Sequence, residues 1–449
     1  MASRNINRLL IGVVALLAFD SLRAQTPAAG PLRLTLGDAV RVASGQAPVV
    51  ALATLRSDEA DARVRQAKAA LLPSLSLGAA WVNRDFNWQA LGLPLPPAFA
   101  SGLSNPVPAF NNYDGRASVT QTLLDLSSVA RVRAARTEAD GSRAERGVTV
   151  EASALTAAEA YLRAARAQAV VAARQADSAI AAELVGLAQA QKTAGVSAAI
   201  DVTRARTQFV TAEGLLLVAR NQLDRARIDV TRALGIGPAT PLVLTDTLAA
   251  TLGAADVPTQ PDSAVAVALA NRPELRAELA RAGAARQTGA AIRAERLPRL
   301  VVAGDYGVNG PTVPGAIATR DLTLAVSVPI LDGFRREARL GEQEAVVRES
   351  EVRERDLRQQ IAADVDAALL DLHSAQAQQV VAAERLRLAD DELAQSRERF
   401  KAGVVGNIEV IDAQSNLIRA RDADIDARFA AAGAHVSLAR AAGVARTLH

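Results

Sequence analysis

The sequence contains two copies of one pattern, and this duplication limits the folds open to the chain more than any other feature. Residues 71–75 (Leu-Leu-Pro-Ser-Leu) match residues 296–300 (Arg-Leu-Pro-Arg-Leu) at an offset of 225. Further along, Ala-Gly-Val occurs at 194–196 and again at 402–404, at an offset of 208. The order of the matches is the same in both halves. The sequence therefore predicts a tandem duplication of one structural unit.

The first repeat is predicted at 36–236 and the second at 262–443. The first repeat is longer by about 18 residues, all of which fall between Pro73 and Leu124. Glycine, proline and threonine are frequent in the segment between the repeats, as expected of a connection. Three segments lie outside the repeats: an N-terminal extension at 25–35, a linker at 237–261 and a C-terminal tail at 444–449.

Each repeat contains one long stretch without proline, at 126–192 in the first and at 333–401 in the second. A helix of this length measures roughly 100 Å and needs a packing partner along its length. Asp125 and Asp332 precede the two stretches and are predicted to be their N-caps. A return helix is predicted after each stretch, at 405–442 in the second repeat. The pattern predicts antiparallel coiled-coil pairs.

Two strands are also predicted in each repeat, because apolar and polar residues alternate there with a period of two. In the second repeat Leu300, Val302 and Tyr306 share one face, opposite Arg299 and Asp305. Alternating segments of this length are typical of transmembrane β-barrels, and a soluble β-sandwich is the alternative. The predicted strands are 74–84, 116–123, 299–308 and 320–328, with an outer loop at 85–115.

The aromatic residues support the membrane interpretation. Eight of the 13 Phe, Trp and Tyr residues fall within 74–113 and 299–334. Trp81 and Tyr306 match each other between the repeats and are expected at the membrane interface. Four strands are too few to close a barrel, and an open sheet edge in lipid would leave backbone groups unpaired. Several copies of the chain are therefore expected to pool their strands.

The N-terminus has the pattern of an export signal. Arg4 and Arg8 precede an apolar run at 9–19, and Ala24 precedes the predicted cleavage point. A signal peptide is therefore expected at 1–24, with a buried N-terminal helix as the alternative. No later segment has ~18 apolar residues without a charge, so no membrane-spanning helix is expected.

Composition excludes several classes of function. The chain has no cysteine, and its formal net charge is only +3 with no basic stripe, so no nucleic-acid partner is expected. The three histidines, His373, His435 and His449, are not at metal-ligand spacing. Signatures of nucleotide-binding loops and hydrolase nucleophiles are absent from the sequence. We expect no enzymatic activity, no metal site and no cofactor.

The ordered set of features resembles the TolC family of outer-membrane efflux and secretion channels. The resemblance rests on the duplicated architecture, on the Leu-Pro pairs at Pro73 and Pro298, and on the segment 402–414. It covers about 36–443. The resemblance implies a mixed α+β membrane protein in which three chains form a twelve-stranded β-barrel. The resemblance also implies that the barrel continues into a long tunnel of antiparallel α-helical coiled coils in the periplasm.

The same resemblance implies a function and partners. The expected function is that of the outer-membrane channel of a tripartite efflux pump, which passively exports small molecules from the periplasm. The implied partners are two further copies of the chain, outer-membrane lipid, a periplasmic adaptor protein and an inner-membrane transporter. A type I protein secretion system is an alternative. A soluble coiled-coil scaffold or adhesin is the alternative from another class.

The resemblance also assigns roles to residues near the helix tips. Glu409 and Asp412 occupy the positions at which the family narrows its periplasmic entrance with acidic side chains. A pair of ordinary solvated helix acids is the alternative. Asp201 occupies a position that links neighbouring coils. The arginine that the family places opposite it is replaced here by Val405, so the ionic link is either absent or made by another arginine. The candidate arginines are Arg204, Arg206 and Arg399.

The turns between the helices are expected to contact the adaptor. Gly195 and Val196 form the tip of the first repeat, and Gly403 and Val404 form the tip of the second. Simple turn chemistry accounts for these residues equally well.

Overall fold

The computed structural model describes residues 32–87, 90, 104, 106–249 and 251–448. The predicted signal peptide at 1–24 and most of the predicted N-terminal extension lie outside these ranges. So does the middle of the predicted outer loop, including residues 91–103.

The first half of the chain folds in the order helix, helix, strand, strand, long helix, return helix, preceded by a short strand. Its elements are β1 (Leu32–Leu34), α1 (Leu36–Gln46), α2 (Pro48–Ala69), β2 (Ser74–Phe86), β3 (Val107–Leu124), α3 (Leu126–Thr193) and α4 (Ala199–Leu234).

The second half repeats this order. Its elements are β4 (Leu242–Leu244), α5 (Pro261–Asn271), α6 (Pro273–Ala294), β5 (Arg299–Gly310), β6 (Ile317–Ser327), α7 (Arg335–Lys401), α8 (Asn407–Ala441) and a 3₁₀ turn (Ala445–Thr447). No helix among the described residues is long and apolar enough to cross a membrane.

The four long strands form one antiparallel sheet in the order β2-β3-β5-β6. The β3–β5 pair joins the two repeats, with Ala117 opposite Tyr306. The sequence placed residues 107–115 in an outer loop, and this assignment is wrong. Strand β3 begins at Val107, because β2 extends to Phe86 and gives these residues a pairing partner. The sequence did not predict this strand, because asparagine and proline are uncommon in strands. Here the strand is stabilised by pairing across the sheet.

The two faces of the sheet differ in polarity. One face carries exposed apolar side chains, including Leu77 (81% exposed) and Leu322 (81% exposed). Arg320 lies on this face beside Tyr306. On the other face Arg116 donates hydrogen bonds to Asp114 and to Asp305, the latter at 2.9 Å. The alternation in the sequence therefore separates an apolar from a charged surface.

The long helices pack through small side chains. Helix α3 runs along α4, α6 and α8, while α7 packs against α8 and α6. Buried alanines such as Ala188, Ala205 and Ala413 line these contacts and let the helix backbones approach closely. Helix α3 is central because it contacts elements of both repeats.

A second, two-stranded sheet ties the repeats together at the level of α1. β1 pairs in parallel with β4, so residues from the predicted N-terminal extension meet residues from the predicted linker. The buried hydroxyl of Tyr161 on α3 donates to the Leu34 carbonyl oxygen at 2.9 Å and lies 3.0 Å from a carboxylate oxygen of Asp246. Burial and the nearby Asp246 raise the pKa of Tyr161, so the hydroxyl stays protonated as a donor.

The two long helices begin differently. Asp125 is the N-cap of α3, as predicted, and its carboxylate accepts from the backbone N–H groups of Ser127 and Ser128 at 2.9 and 3.1 Å. Asp332 is not the N-cap of α7, so this prediction is wrong. Gly333 and Phe334 both have positive φ, which delays the helix until Arg335. Asp332 instead accepts a hydrogen bond from the buried Arg336 at 2.8 Å.

We expect Asp125 to make the stability of the fold depend on acid. Burial favours the neutral carboxyl group, but hydrogen bonds from Ser127 and Ser128 and the charge of Arg131 outweigh burial and hold the Asp125 pKa at about 2. A pKa lowered from 3.8 stabilises the folded state by about 2 kcal/mol. This contribution is complete above the unfolded pKa and is lost as the pH falls through the folded one. Thermal unfolding of the purified protein from about pH 5 to about pH 2 measures it.

Two substitutions distinguish the contribution of the Asp125 charge from that of its capping hydrogen bonds. Asp125→Ala should lower the free energy of unfolding at neutral pH by ~1–2 kcal/mol or more, because Ser127 and Ser128 lose their acceptor. Asp125→Asn keeps a capping oxygen and should cost less, while flattening the acid dependence. An Asp125→Asn protein that keeps the full acid dependence would contradict this account.

Candidate functional site

The chain turns back on itself at two tips, one in each repeat. Two residues beyond the ends of α3 and α7 lie Gly195 (φ 74°) and Gly403 (φ 70°), in the left-handed conformation that glycine adopts without strain. The next amide in each tip donates back into the last helical turn, from Val196 to the Gln191 carbonyl oxygen and from Val404 to the Arg399 carbonyl oxygen. Both tips are thus Schellman caps.

The tips expose apolar side chains and lie close together. Val196 is 64% exposed and Val404 is 68% exposed. A Cβ atom added to Gly403 would lie 3.5 Å from a methyl group of Val196. The four residues that the sequence assigned to adaptor contact therefore form one small apolar surface at the end of the helices.

Two side chains that the sequence analysis missed fix the tips to each other. The fully buried Asn407 donates to the Asp201 carbonyl oxygen at 2.7 Å. Gln191 donates to the Phe400 carbonyl oxygen at 2.8 Å. Both bonds run between repeats. Sequence spacing alone gives no sign of them, because their acceptors are backbone carbonyls far away along the chain.

The hydrogen-bond partners of the Asp201 carboxylate lie at the N-terminus of its own helix, α4. It accepts from the Ser197 hydroxyl at 2.8 Å and from the Ala198 amide at 3.3 Å. Arg204, one of the three candidate arginines, lies 3.8 Å from it on the same helix. Arg206 forms no ion pair within the described part of the chain, and Arg399 binds a different acid. Within one chain, Asp201 links the repeats through its backbone rather than its charge.

The two predicted entrance acids lie in the first turns of α8 and differ in their surroundings. Glu409 accepts a hydrogen bond from Arg399, at the end of α7, at 2.7 Å. Asp412 is exposed and makes no ion pair with any residue that the structure describes. Both carboxylates lie near the positive end of the α8 dipole, which stabilises negative charge. The arrangement presents one neutralised and one free carboxylate per chain.

The predicted interface aromatics lie on the apolar face of the sheet. Trp81 is 62% exposed and Tyr306 is 65% exposed. Trp81 pairs across β2 and β3 with Tyr113, and its indole N–H donates to the Asn111 side chain at 3.2 Å. Among the described residues no group of histidines and carboxylates could hold a metal ion.

Comparison with known families identifies the chain. The family model described as outer membrane efflux protein matches residues 40–236 and 264–444, which are nearly the whole of both repeats. The chain belongs to the outer membrane efflux protein family. The predicted family is thereby confirmed. Outer membrane efflux proteins are channels and not enzymes, and this chain is an outer-membrane protein that extends into the periplasm.

Individual relatives are distant but cover most of the chain. Protein CyaE from Bordetella pertussis is 25% identical over 401 residues, which are 86% of this chain and 79% of CyaE. The outer membrane protein VceC from Vibrio cholerae has a TM-score of 0.72 and 18% identity, covering 91% of this chain and 96% of VceC. The Campylobacter jejuni CmeC outer membrane channel has a TM-score of 0.75 and 15% identity, covering 91% and 86%. The outer membrane efflux fold is therefore preserved at low identity.

Proposed function

We propose that this outer membrane efflux protein is the outer-membrane channel of a tripartite efflux pump and passively exports small molecules from the periplasm. The observation that carries the proposal is the two-faced sheet at one end of the long helical hairpins. One face carries apolar side chains suited to lipid, and the other carries Arg116, Asp114 and Asp305. A charged face suits a water-filled passage.

The proposed channel contains three chains. In the described part of one chain, β2 and β6 are the edges of the sheet and have no partner on their outer side. Unpaired strand edges are unfavourable in lipid, where each free backbone group costs several kcal/mol. Pairing β6 of one chain with β2 of the next removes every edge, and three chains supply twelve strands. Trp81 and Tyr306 then lie on the lipid-facing surface of the barrel.

At the opposite end, the tips are the proposed entrance. Three copies of Glu409 and Asp412 surround the opening of the tunnel and favour cations over anions. Gly195, Val196, Gly403 and Val404 are the proposed contact with a periplasmic adaptor, which joins the channel to an inner-membrane transporter. The exposure of both valines supports this contact.

Parallel transport assays test the proposed function. In a Gram-negative host that lacks its own channel of this kind, the full chain should lower the accumulation of a fluorescent dye when a matching adaptor and transporter are present. The purified protein should also conduct ions in planar bilayers. Restored secretion of a reporter protein without any effect on the dye would favour the type I secretion alternative. A protein that purifies without membranes and does not conduct would support the soluble scaffold.

A further inference from the structure

The contact between the two repeats contains a buried ion pair. In the half of α3 (Leu126–Thr193) that is nearer the tip, Asp177 is 2% exposed and accepts a hydrogen bond from Arg421 of α8 at 2.8 Å. One turn further along α8, Ile425 packs against alanines of α3, among them Ala173. This contact joins the long helix of the first repeat to the return helix of the second.

The duplication gives each of these residues a counterpart. Both long helices are continuous up to their tip glycines, so Asp177 corresponds to Arg385, and Arg421 corresponds to Glu213, at the offset of 208. The two signs of charge are exchanged. Within one chain, Arg385 and Glu213 are both exposed, and neither forms an ion pair with any described residue. Two complementary charges thus lack partners at the positions where the other repeat has a buried pair.

The surfaces around these charges are also unpartnered. Helix α7 carries an open groove of about 610 Å³. Its lining includes Val380, Val381, Arg385 and Leu388, and the two valines are 67% and 69% exposed. Glu384, Ala389 and Glu392 of α7 and Asn416 of α8 complete the lining. Helix α4 exposes Val210 (65%) and Leu217 (66%) on the side that carries Glu213. Leu217 is the counterpart of Ile425, and Val381 is the counterpart of Ala173.

We propose that the α7 groove binds helix α4 of a second copy of this chain, with Glu213 of one copy paired with Arg385 of the next and Leu217 packed on Val381. The contact between copies then repeats the contact between repeats, with the ion pair reversed. This inference rests on the proposed assembly of several chains and adds to it the residues that meet. Because every copy offers one groove and one α4, the contact is head-to-tail, the type of contact from which closed rings are built.

Cysteine cross-linking tests the proposed contact without interference, because the natural chain contains no cysteine. The full chain carrying Leu217→Cys and Val381→Cys is extracted in detergent and treated with a short bismaleimide. We expect covalent dimers and trimers on denaturing gels, with neither variant alone giving them. The control pairs Leu217→Cys with Leu370→Cys, a more exposed position on the same helix (72%) that lies about 16 Å further from the tip. Equal cross-linking of the control pair, or none of the test pair, overturns the contact.

Exchange of the two charges tests the proposed ion pair between Glu213 of one copy and Arg385 of the next. In the Leu217→Cys, Val381→Cys background, Glu213→Arg should reduce the cross-linked fraction severalfold at low salt, because two positive charges then face each other. Adding Arg385→Glu should restore it. Glu213→Arg without effect, or no rescue by the second change, overturns the pair.

The outcomes separate this inference from the proposed function. If the protein conducts in planar bilayers but gives no Leu217–Val381 cross-link, the proposed contact between copies is wrong and the proposed channel function stands. If it cross-links as expected but does not conduct, the proposed channel function is wrong and the proposed contact stands. Cross-linking of the groove only to a different protein also overturns the contact between copies.

Discussion

Replacing Glu409 and Asp412 together with alanine is expected to raise the single-channel conductance of the protein in planar bilayers and to weaken block by multivalent cations. The carboxylates lie in the first turns of α8, directly after the tip, so three chains would gather them around the entrance. Removing the carboxylates abolishes the site at which a multivalent cation binds. The shorter alanine side chains also widen the entrance. Unchanged conductance and unchanged block would reject the assignment of these residues to the entrance.

The structure predicts that the two acids contribute unequally. Glu409 is paired with Arg399 at 2.7 Å, whereas Asp412 has no partner among the described residues. Asp412→Ala alone should therefore account for most of the change in cation block. Arg399→Gln should act in the opposite direction, because it releases the Glu409 charge and should strengthen cation block.

A matched control removes an exposed carboxylate elsewhere. Asp224 lies on α4, about 38 Å along the helix from its first residue, Ala199, and its side chain is 71% exposed. Asp224→Ala should leave conductance and cation block close to those of the natural protein. If it changes them as much as Asp412→Ala does, the effect is one of overall charge and not of the entrance.

Asp177→Ala is expected to cause the largest loss of stability. The Asp177 carboxylate accepts from Arg174 at 2.9 Å and from Arg421 at 2.8 Å, and its side chain is 3% exposed. Removing one partner of a buried ion pair leaves charge without compensation and typically costs ~3–5 kcal/mol. Arg174 keeps Asp422 at 2.6 Å, which favours the lower end of that range. Thermal and urea unfolding of the purified protein in detergent measure the loss.

The same two helices supply the control. Arg166 of α3 and Asp426 of α8 form an ion pair at 2.6 Å, but their side chains are 42% and 56% exposed. An exposed pair contributes ~0–1 kcal/mol, because water and salt screen it. Asp426→Ala should therefore lower stability much less than Asp177→Ala. Similar losses for both variants would show that burial does not decide the strength of this contact.

The sequence correctly predicted those features that depend on residues close together in the chain. Proline-free stretches and regular spacing of apolar residues predicted the long helices, whose observed bounds are Leu126–Thr193 and Arg335–Lys401. The period-two alternation assigned Trp81 and Tyr306 to the apolar face of the sheet. The aspartate before the first long helix is its N-cap, because capping depends on residues only two or three positions away.

Sequence reasoning failed where distant residues decide the structure. Residues 107–115 form a strand because β2 pairs along them and β5 pairs with residues 113–115. Asp332 does not cap α7, because Gly333 and Phe334 have positive φ and the helix begins after them. Its carboxylate instead accepts a hydrogen bond from the buried Arg336. The Asn407–Asp201 and Arg399–Glu409 contacts join elements whose approach follows from packing of the hairpins.

The duplication itself was readable from the sequence, and with it the family, the order of helices and strands, and the position of the tips. Tertiary structure alone decided which charges are paired. Asp177 and Arg421 are 244 positions apart and become partners because α3 and α8 pack together. Their counterparts, Arg385 and Glu213, have no partner within the described chain. The physical reason is that repeated sequence sets similar local structure, whereas ion pairing depends on which helix lies alongside, and that neighbour differs between the two repeats.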